Sequence, residues 1–413
     1  MLGKIVASID IGSYKIKGII GRITEDGYKI LGYNDLPSAG VEKGRLVDIT
    51  ELTQRVKEVY HNACDVADIN NVDVVCFGVG GSHIELIEKE SLPIPVSNGR
   101  VTERDVERVR EYVLRNVKKD AEYLKKEVIQ SEVQYFKIDD SDKEVKNPVD
   151  MSGEYLKVNM AVLVGDKNEV KDYCKVATGA NIPVPSLFVQ PLAASAAVLR
   201  TDEKEAGVAC IDIGDQTTDI VVYKRQKIRR KVKIINRGGK KVTEDIASRF
   251  GITLKNAEEI KKKYGKAMVD LMKEEEKVNK IETFDTQGNP LKIPQIELVQ
   301  TIENSMRDLL MEIVEVINSE LHPIDTLVAG VVITGGVANL HGLRALAYDV
   351  MKLSAIRIGY PVTSCRDLNK PEFAVSIGML KMFSNHNVKR VKAKGGFSRF
   401  FDFFRRLGED IFK

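Results

Sequence analysis

The chain has 413 residues, 43% hydrophobic and 30% charged, with a net charge of +3. That length exceeds one compact core and calls for two or more domains, and the near-neutral balance excludes a nucleic-acid binder from expectation. The five cysteines (Cys64, Cys76, Cys174, Cys210, Cys365) are scattered, with no Cys-x-x-Cys spacing, so neither a disulfide framework nor a zinc site is expected in a reducing cytoplasm. The first residues run into Asp10 too soon for a secretory signal. No uncharged apolar run reaches the roughly 18 residues that a bilayer span needs.

From the N-terminus, residues 4–9 are β-branched and alternating, as a buried strand should be. They run into Asp10-Ile-Gly-Ser-Tyr-Lys15, and a second strand is expected over 16–23. Gly12 permits a tight turn whose backbone N–H groups approach phosphate oxygens; Ser13 adds a donor, Tyr14 completes the turn and Lys15 neutralises charge. An acid cannot face phosphate directly, so Asp10 is expected to hold Mg²⁺ through water. Residues 81–164 have the make-up of a small α/β unit, with strands at 84–88, 133–138 and 155–164 and a helix over 102–116. Thr102 caps that helix with Asp105 three residues on. Gln190-Pro-Leu-Ala-Ala-Ser-Ala-Ala-Val is a helix of small residues, suited to close crossing and to a hinge.

The opening plan then returns. A strand over 207–211 leads to Asp212-Ile-Gly-Asp-Gln-Thr-Thr-Asp219 and a strand over 220–223. Gly214, Asp215, Gln216, Thr217 and Thr218 stand as a second phosphate loop, with Asp212 as a second acid for water-held Mg²⁺. Two such loops, each opening a half of the chain, predict a duplicated fold with phosphates clamped between the halves. At 331–342 a strand meets Gly335, Gly336 and Val337 before a helix start, a flat backbone against which an adenine or ribose can lie. A second small-residue helix is expected over 373–380.

The polar stretch 384–394 carries Lys389, Arg390, Lys392 and Lys394 and leads to the segment 396–413. Wound as a helix, that segment places Phe397, Phe400, Phe401, Phe403, Phe404, Leu407, Ile411 and Phe412 on one half of the wheel. Arg399, Asp402, Arg405, Arg406, Glu409, Asp410 and Lys413 take the other half. This reads as a helix lying in the surface of an anionic membrane; a helix docked on the chain's own body or in a partner's groove is the alternative. One such helix binds reversibly and many bind by avidity, so the tail suits a protein that oligomerises.

The five elements, in this order over roughly residues 1–383, resemble the actin, Hsp70 and sugar-kinase superfamily. Gly78-Val-Gly-Gly-Ser-His-Ile84, Lys146-Asn-Pro-Val-Asp-Met-Ser-Gly-Glu-Tyr-Leu156, Val189-Gln-Pro-Leu-Ala-Ala-Ser195 and the tail look like the FtsA family of bacterial cell-division proteins. The resemblance implies an α/β, actin-like duplicated fold, with two major domains around a nucleotide cleft. Domain IA is expected at 1–83 and 165–200 with a return at 373–383, inserted subdomain IC at 84–164, domain IIA at 201–235 and 299–372, and subdomain IIB at 236–298. A flexible basic linker (384–395) and the amphipathic membrane-targeting helix (396–413) would follow.

It also implies ATP and Mg²⁺ as ligands, with Gly238, Glu258 and Lys261 as further nucleotide contacts. The implied partners are the C-terminal tail of FtsZ on 236–298, other copies of the chain in filaments, and later division proteins on 84–164, with no nucleic acid. The implied location is the cytoplasmic face of the cell membrane at the septum. Gln190 stands where several relatives carry Glu, a candidate for orienting an attacking water. Asp215 and Gln216 replace two glycines usual in the second loop, and Tyr14 stands where small hydroxyl residues are common. Slow turnover at most is therefore expected, with nucleotide closing the halves and favouring polymerisation. A pilus-assembly homologue and a small-metabolite kinase are the competing members; the first needs no membrane tail, and the second needs an acidic base that no motif supplies.

Overall fold

The computed structural model describes residues 3–225 and 227–392. The expected membrane helix at 396–413, with Phe397, Arg399, Phe400, Phe401, Phe404, Arg405, Arg406, Leu407 and Ile411, lies outside the described residues.

The first half opens with β1 (Ile5–Ile11), β2 (Lys15–Thr24) and β3 (Gly27–Pro37), then a short ribbon of β4 (Val41–Glu42) and β5 (Arg45–Leu46). Helix α1 (Ile49–Ala67) follows, capped by Asp48, whose carboxylate accepts from the N–H groups of Thr50 and Glu51. Strand β6 (Val74–Val79) leads to the insert: β7 (Glu85–Glu90), β8 (Ile94–Pro95), α2 (Glu103–Tyr123), β9 (Lys126–Ile138) and β10 (Tyr155–Asp166). The half closes with α3 (Lys167–Gly179), β11 (Ser186–Val189) and α4 (Gln190–Val198). The second half contains α5 (Thr201–Ala206), β12 (Val208–Ile213), β13 (Thr218–Lys224) and β14 (Lys227–Ile235). It continues with α6 (Gly239–Phe250), α7 (Leu254–Tyr264), α8 (Glu274–Val278), β15 (Lys280–Phe284), β16 (Pro290–Pro294) and α9 (Gln295–Val316). The last elements are β17 (Val331–Thr334), α10 (Leu343–Met351), β18 (Ile356–Ile358) and α11 (Ala374–Lys392).

The duplication is visible in the sheets. The first runs β11-β6-β1-β2-β3 and the second β18-β17-β12-β13-β14. In both, the leading strand pairs antiparallel with its hairpin partner and parallel with its crossover neighbour. The register matches too: Asp10 faces Lys17 across the first hairpin as Asp212 faces Asp219 across the second. Strand β1 is buried along its whole length, on both faces, so the alternation in its sequence does not mark a solvent side. Separate cores form under each sheet, around Ile9 and Phe77 in the first and Ile211 and Leu309 in the second.

The insert has its own core, with Val109 of α2 packed over Val158 and Met160 of β10. The predicted capping box is present: Asp105 and Thr102 bond reciprocally at the start of α2. Strand β9 begins well before Val133, because the buried stretch Lys126–Ile138 includes Glu127, Gln130 and Ser131, polar types that hide a strand from hydrophobicity reading.

Helices α4 and α11 cross between the sheets. A side chain at Gly378 would collide with the carbonyl oxygen of Ala193, so the crossing requires glycine there. Helix α11 does not stop at this crossing: it continues through 384–392, where the sequence reads as a flexible linker. No proline or glycine interrupts this stretch, and the anchored first turns supply the nucleus that an isolated helix lacks. Ser384, buried, donates to the carbonyl of Gly27 at 2.7 Å and ties the helix to the β2–β3 turn. Among the described residues no helix is long and apolar enough to cross a membrane.

Candidate functional site

The two Asp-x-Gly turns lie at equivalent corners of the two sheets and line one cleft of about 1050 Å³. Gly12, Ser13, Tyr14 and Lys15 form one wall, and Gly214, Asp215, Gln216 and Thr217 form the other. Gly335, Gly336 and Val337 close a third side, and Glu258 and Lys261 of α7 reach in beside them. Asp10, Asp212 and Gln190 lie on the floor.

Two expected contacts are not on the wall. Thr218 is fully buried and its hydroxyl donates to the carbonyl of Arg237 at 2.8 Å, because it begins strand β13. Gly238 packs behind the second loop, where a Cβ would sit 2.7 Å from the Asp215 carbonyl oxygen. Its neighbours fasten that loop: the N–H of Gly239 donates to the Gly214 carbonyl at 2.9 Å and that of Lys240 to the Asp215 carbonyl at 2.7 Å.

The floor is a charge cluster. Asp10 accepts from the Lys17 ammonium at 2.9 Å and from the Gln190 amide at 3.0 Å. The other Gln190 amide proton goes to the Ile11 carbonyl at 3.2 Å, so Gln190 braces Asp10 and retains only its oxygen for a water. Burial works to lower the Lys17 pKa, but Asp10 beside it prevails and holds it above the ordinary lysine value. Burial, with repulsion from Asp10 and partial relief from Lys17, pushes the Asp212 carboxyl up to about 7. Burial, then Asp212 and Asp10, drive Asp219 well above the carboxylate range. One Asp219 oxygen is buried without a partner.

Among the described residues no group of three or more His, Cys, Asp or Glu side chains is arranged to hold a metal directly. A crowded acidic floor with a hydrogen-bond vacancy fits a hydrated divalent cation, held through water by Asp10 and Asp212 and relieving their repulsion. Lys17 and Asp219 were missed from sequence. Their signal is the shared register opposite Asp10 and Asp212, visible only once the hairpins are paired.

The raised Asp212 pKa has a measurable consequence. The folded state holds that proton more tightly than the unfolded chain, so its stabilising effect is full below about pH 4 and is lost as pH rises through about 7. Asp212→Asn is expected to stabilise the nucleotide-free protein by about 2–4 kcal/mol at pH 8, the gain shrinking toward pH 4. Urea unfolding across that range checks it; a parent as stable as the variant at pH 8 contradicts it.

On the α7 side, Lys261 donates to the Gly239 carbonyl at 3.1 Å and to the Thr243 hydroxyl at 2.7 Å. Glu258 lies 2.6 Å from Lys261 and 3.3 Å from Lys262. Burial would raise Glu258, but hydrogen bonds from Lys261 and Thr243 outweigh it and hold the carboxyl below its usual value. Burial also raises the Asp215 carboxyl, against the attraction of Lys261. Lys15 is paired with Asp35.

Two of the unusual loop residues are the ones that reach across the cleft. The Lys262 ammonium meets the Tyr14 hydroxyl and sits 4.5 Å from the ring centroid. The Lys43 N–H donates to the Gln216 side-chain oxygen at 2.9 Å.

A family model described as cell division protein FtsA matches residues 209–378, and one described as the SHS2 domain inserted in FtsA matches residues 81–164. A model for the type IV pilus assembly protein PilM matches residues 143–272. The chain is 30% identical over 391 residues to cell division protein FtsA of Escherichia coli K12, covering 91% of this chain and 90% of that protein. It is 30% identical over 398 residues to FtsA of Bacillus subtilis 168, covering 95% and 86%. Among solved structures, the PilM–PilN type IV pilus biogenesis complex is similar with a TM-score of 0.61 at 18% identity, covering 92% of this chain and 98% of that chain. ADP-bound MreB5 of Spiroplasma citri follows the same fold with a TM-score of 0.55 at 15% identity, covering 95% and 99%. These distant structures establish the actin-like fold alone. Likeness to FtsA, by contrast, extends over nine-tenths of the sequence and takes in the inserted domain, and the chain belongs to the FtsA family of cell-division proteins.

Proposed function

We propose that this cell-division protein is an ATP-binding, polymerising adaptor that tethers FtsZ filaments to the cytoplasmic face of the cell membrane at the septum and recruits later division proteins. The observation that carries the nucleotide reading is the facing of two equivalent turns, Gly12–Lys15 and Gly214–Thr217, across one cleft (12–15 and 214–217). Their N–H groups and hydroxyls suit a chain of phosphates, and the open backbone at Gly336 suits the adenosine. MreB5 has been solved with ADP and with AMPPNP, which supports a nucleotide in the same fold. When bound, Mg²⁺ would neutralise phosphate charge over Asp10 and Asp212. Gln190 has only its oxygen left for a water and is no general base, so the ligand serves to close the halves rather than to be turned over quickly.

Within this reading the FtsZ tail is gripped by 236–298, later division partners by 84–164, and the membrane by 396–413, with filaments multiplying the membrane contact. The test is fluorescence anisotropy of a labelled FtsZ C-terminal tail peptide from the same organism, titrated with the full chain and Mg·ATP. Saturable binding in the micromolar range, lost when surface residues of 236–298 are changed, is the expected result. No binding by folded, ATP-loaded protein would overturn the tether, and the matching tail peptide of a pilus inner-membrane partner serves as the control bait.

A further inference from the structure

Strands β4 and β5 have two residues each, yet their turn bonds to both loop walls of the cleft. Lys43 and Gly44 at the tip both have positive φ, 48° and 71°, the tight turn that fixes a hairpin's register. Their two N–H groups point to opposite walls of the cleft. Lys43 donates to Gln216 of the second loop at 2.9 Å, and Gly44 donates to the Ser13 hydroxyl of the first at 3.3 Å.

The back of the same tip holds the insert at both of its roots. Gly44 lies flat on Gly81, where the insert begins: a Cβ on Gly44 would be 2.8 Å from the Gly81 nitrogen, and one on Gly81 would be 2.7 Å from the Gly44 oxygen. Arg45 donates to Glu169, just beyond the insert's last strand, at 2.8 Å. Between the two roots sits His83, its ring buried with neither nitrogen bonded, 3.2 Å from where a Cβ on Gly165 would lie.

We propose that the Lys43-Gly44 tip is a sensor that couples phosphate occupancy of the cleft to the insert, an inference that rests on the nucleotide reading above. The chemistry is cooperative. Ser13 and Gln216 accept from the tip through oxygen, and each retains a donor proton for a phosphate oxygen. A bound phosphate fixes the rotamers of both acceptors and polarises them, so the two tip bonds tighten together. The tip cannot shift without moving Gly81 and Arg45, so the tightening arrives at both roots of the insert. Coupling of this kind is reciprocal: a partner that displaces the insert changes the affinity for nucleotide.

The experiment is hydrogen exchange on the full-length protein with and without Mg·ATP, beside a titration with a fluorescent ATP analogue. In the parent, ATP should slow exchange over 41–46, across β7 and at the start of α3 by about fivefold or more. Gly44→Ala drives a methyl into Gly81. It should still bind the analogue, while ATP protection stops at the cleft loops and β7 no longer responds. Arg45→Ala touches neither loop and should abolish the response at α3, which keeps the test decisive if Gly44→Ala does not fold. Equal responses of the insert in parent and variants, or an unchanged tip in parent that binds the analogue, would overturn the sensor alone. Failure of the parent to bind the analogue would remove the nucleotide reading and the sensor with it.

Discussion

Gly336→Phe should bind ATP at least about 30-fold more weakly than the parent, a loss of about 2 kcal/mol, while unfolding at nearly the same temperature. A Cβ at Gly336 meets nothing within 4 Å, and its backbone has no left-handed strain, so a larger side chain enters the cleft without disturbing the protein. The neighbouring glycine behaves oppositely. Gly335 has φ of 89°, and a Cβ there would collide with Asp212 and stand 2.6 Å from the Ile213 carbonyl oxygen. Gly335→Val should therefore destabilise the fold itself by about 3 kcal/mol or more. Thermal unfolding and analogue titration on both variants separate the two effects. Unchanged ATP affinity in folded Gly336→Phe would remove 335–337 from the nucleotide site.

The second large effect is expected in the tail. Phe400→Glu combined with Phe404→Glu should release the protein from anionic liposomes while ATP binding is kept. Each phenylalanine contributes about 1.5–3 kcal/mol when inserted. Replacing two of them with carboxylates removes about 3–6 kcal/mol, roughly a hundredfold or more in partitioning. Co-sedimentation with vesicles reads this directly. Continued pelleting of the double variant would assign the apolar face of 396–413 to the chain's own body or to a protein groove.

Sequence made the duplicated hairpins legible because their signals are local. Buried β-branched strands flank turns that need glycine, and Asp10 and Asp212 mark the same place in both. The insert's helix was legible through Thr102 and Asp105, a cap that requires no tertiary information. Strand β14 was not, because Lys-Ile-Arg-Arg-Lys-Val-Lys looks like a solvated segment until it pairs with β13. The β4–β5 ribbon was hidden for a different reason: arms of two residues carry no periodicity. The site divides the same way. Residue types placed Asp10, Gly12 and Gly214 on the cleft, but a type does not reveal its partner. Gln190, read as a water-orienting side chain, also braces Asp10 through its amide, and Lys15 is paired with Asp35. Thr218 belongs to the strand rather than the turn, a distinction of one residue that only the ladder decides.

Helix α11 carries a mechanical consequence. It is one unbroken rod from the crossing at Gly378 to Lys392, about 21 Å at 1.5 Å per residue. Its near end is wedged against Ala193 of α4, which in turn touches strands of both sheets. Ser384 also ties the rod to the β2–β3 turn, so a load applied beyond Lys392 is shared between the first sheet and the contact with α4 rather than borne at one point.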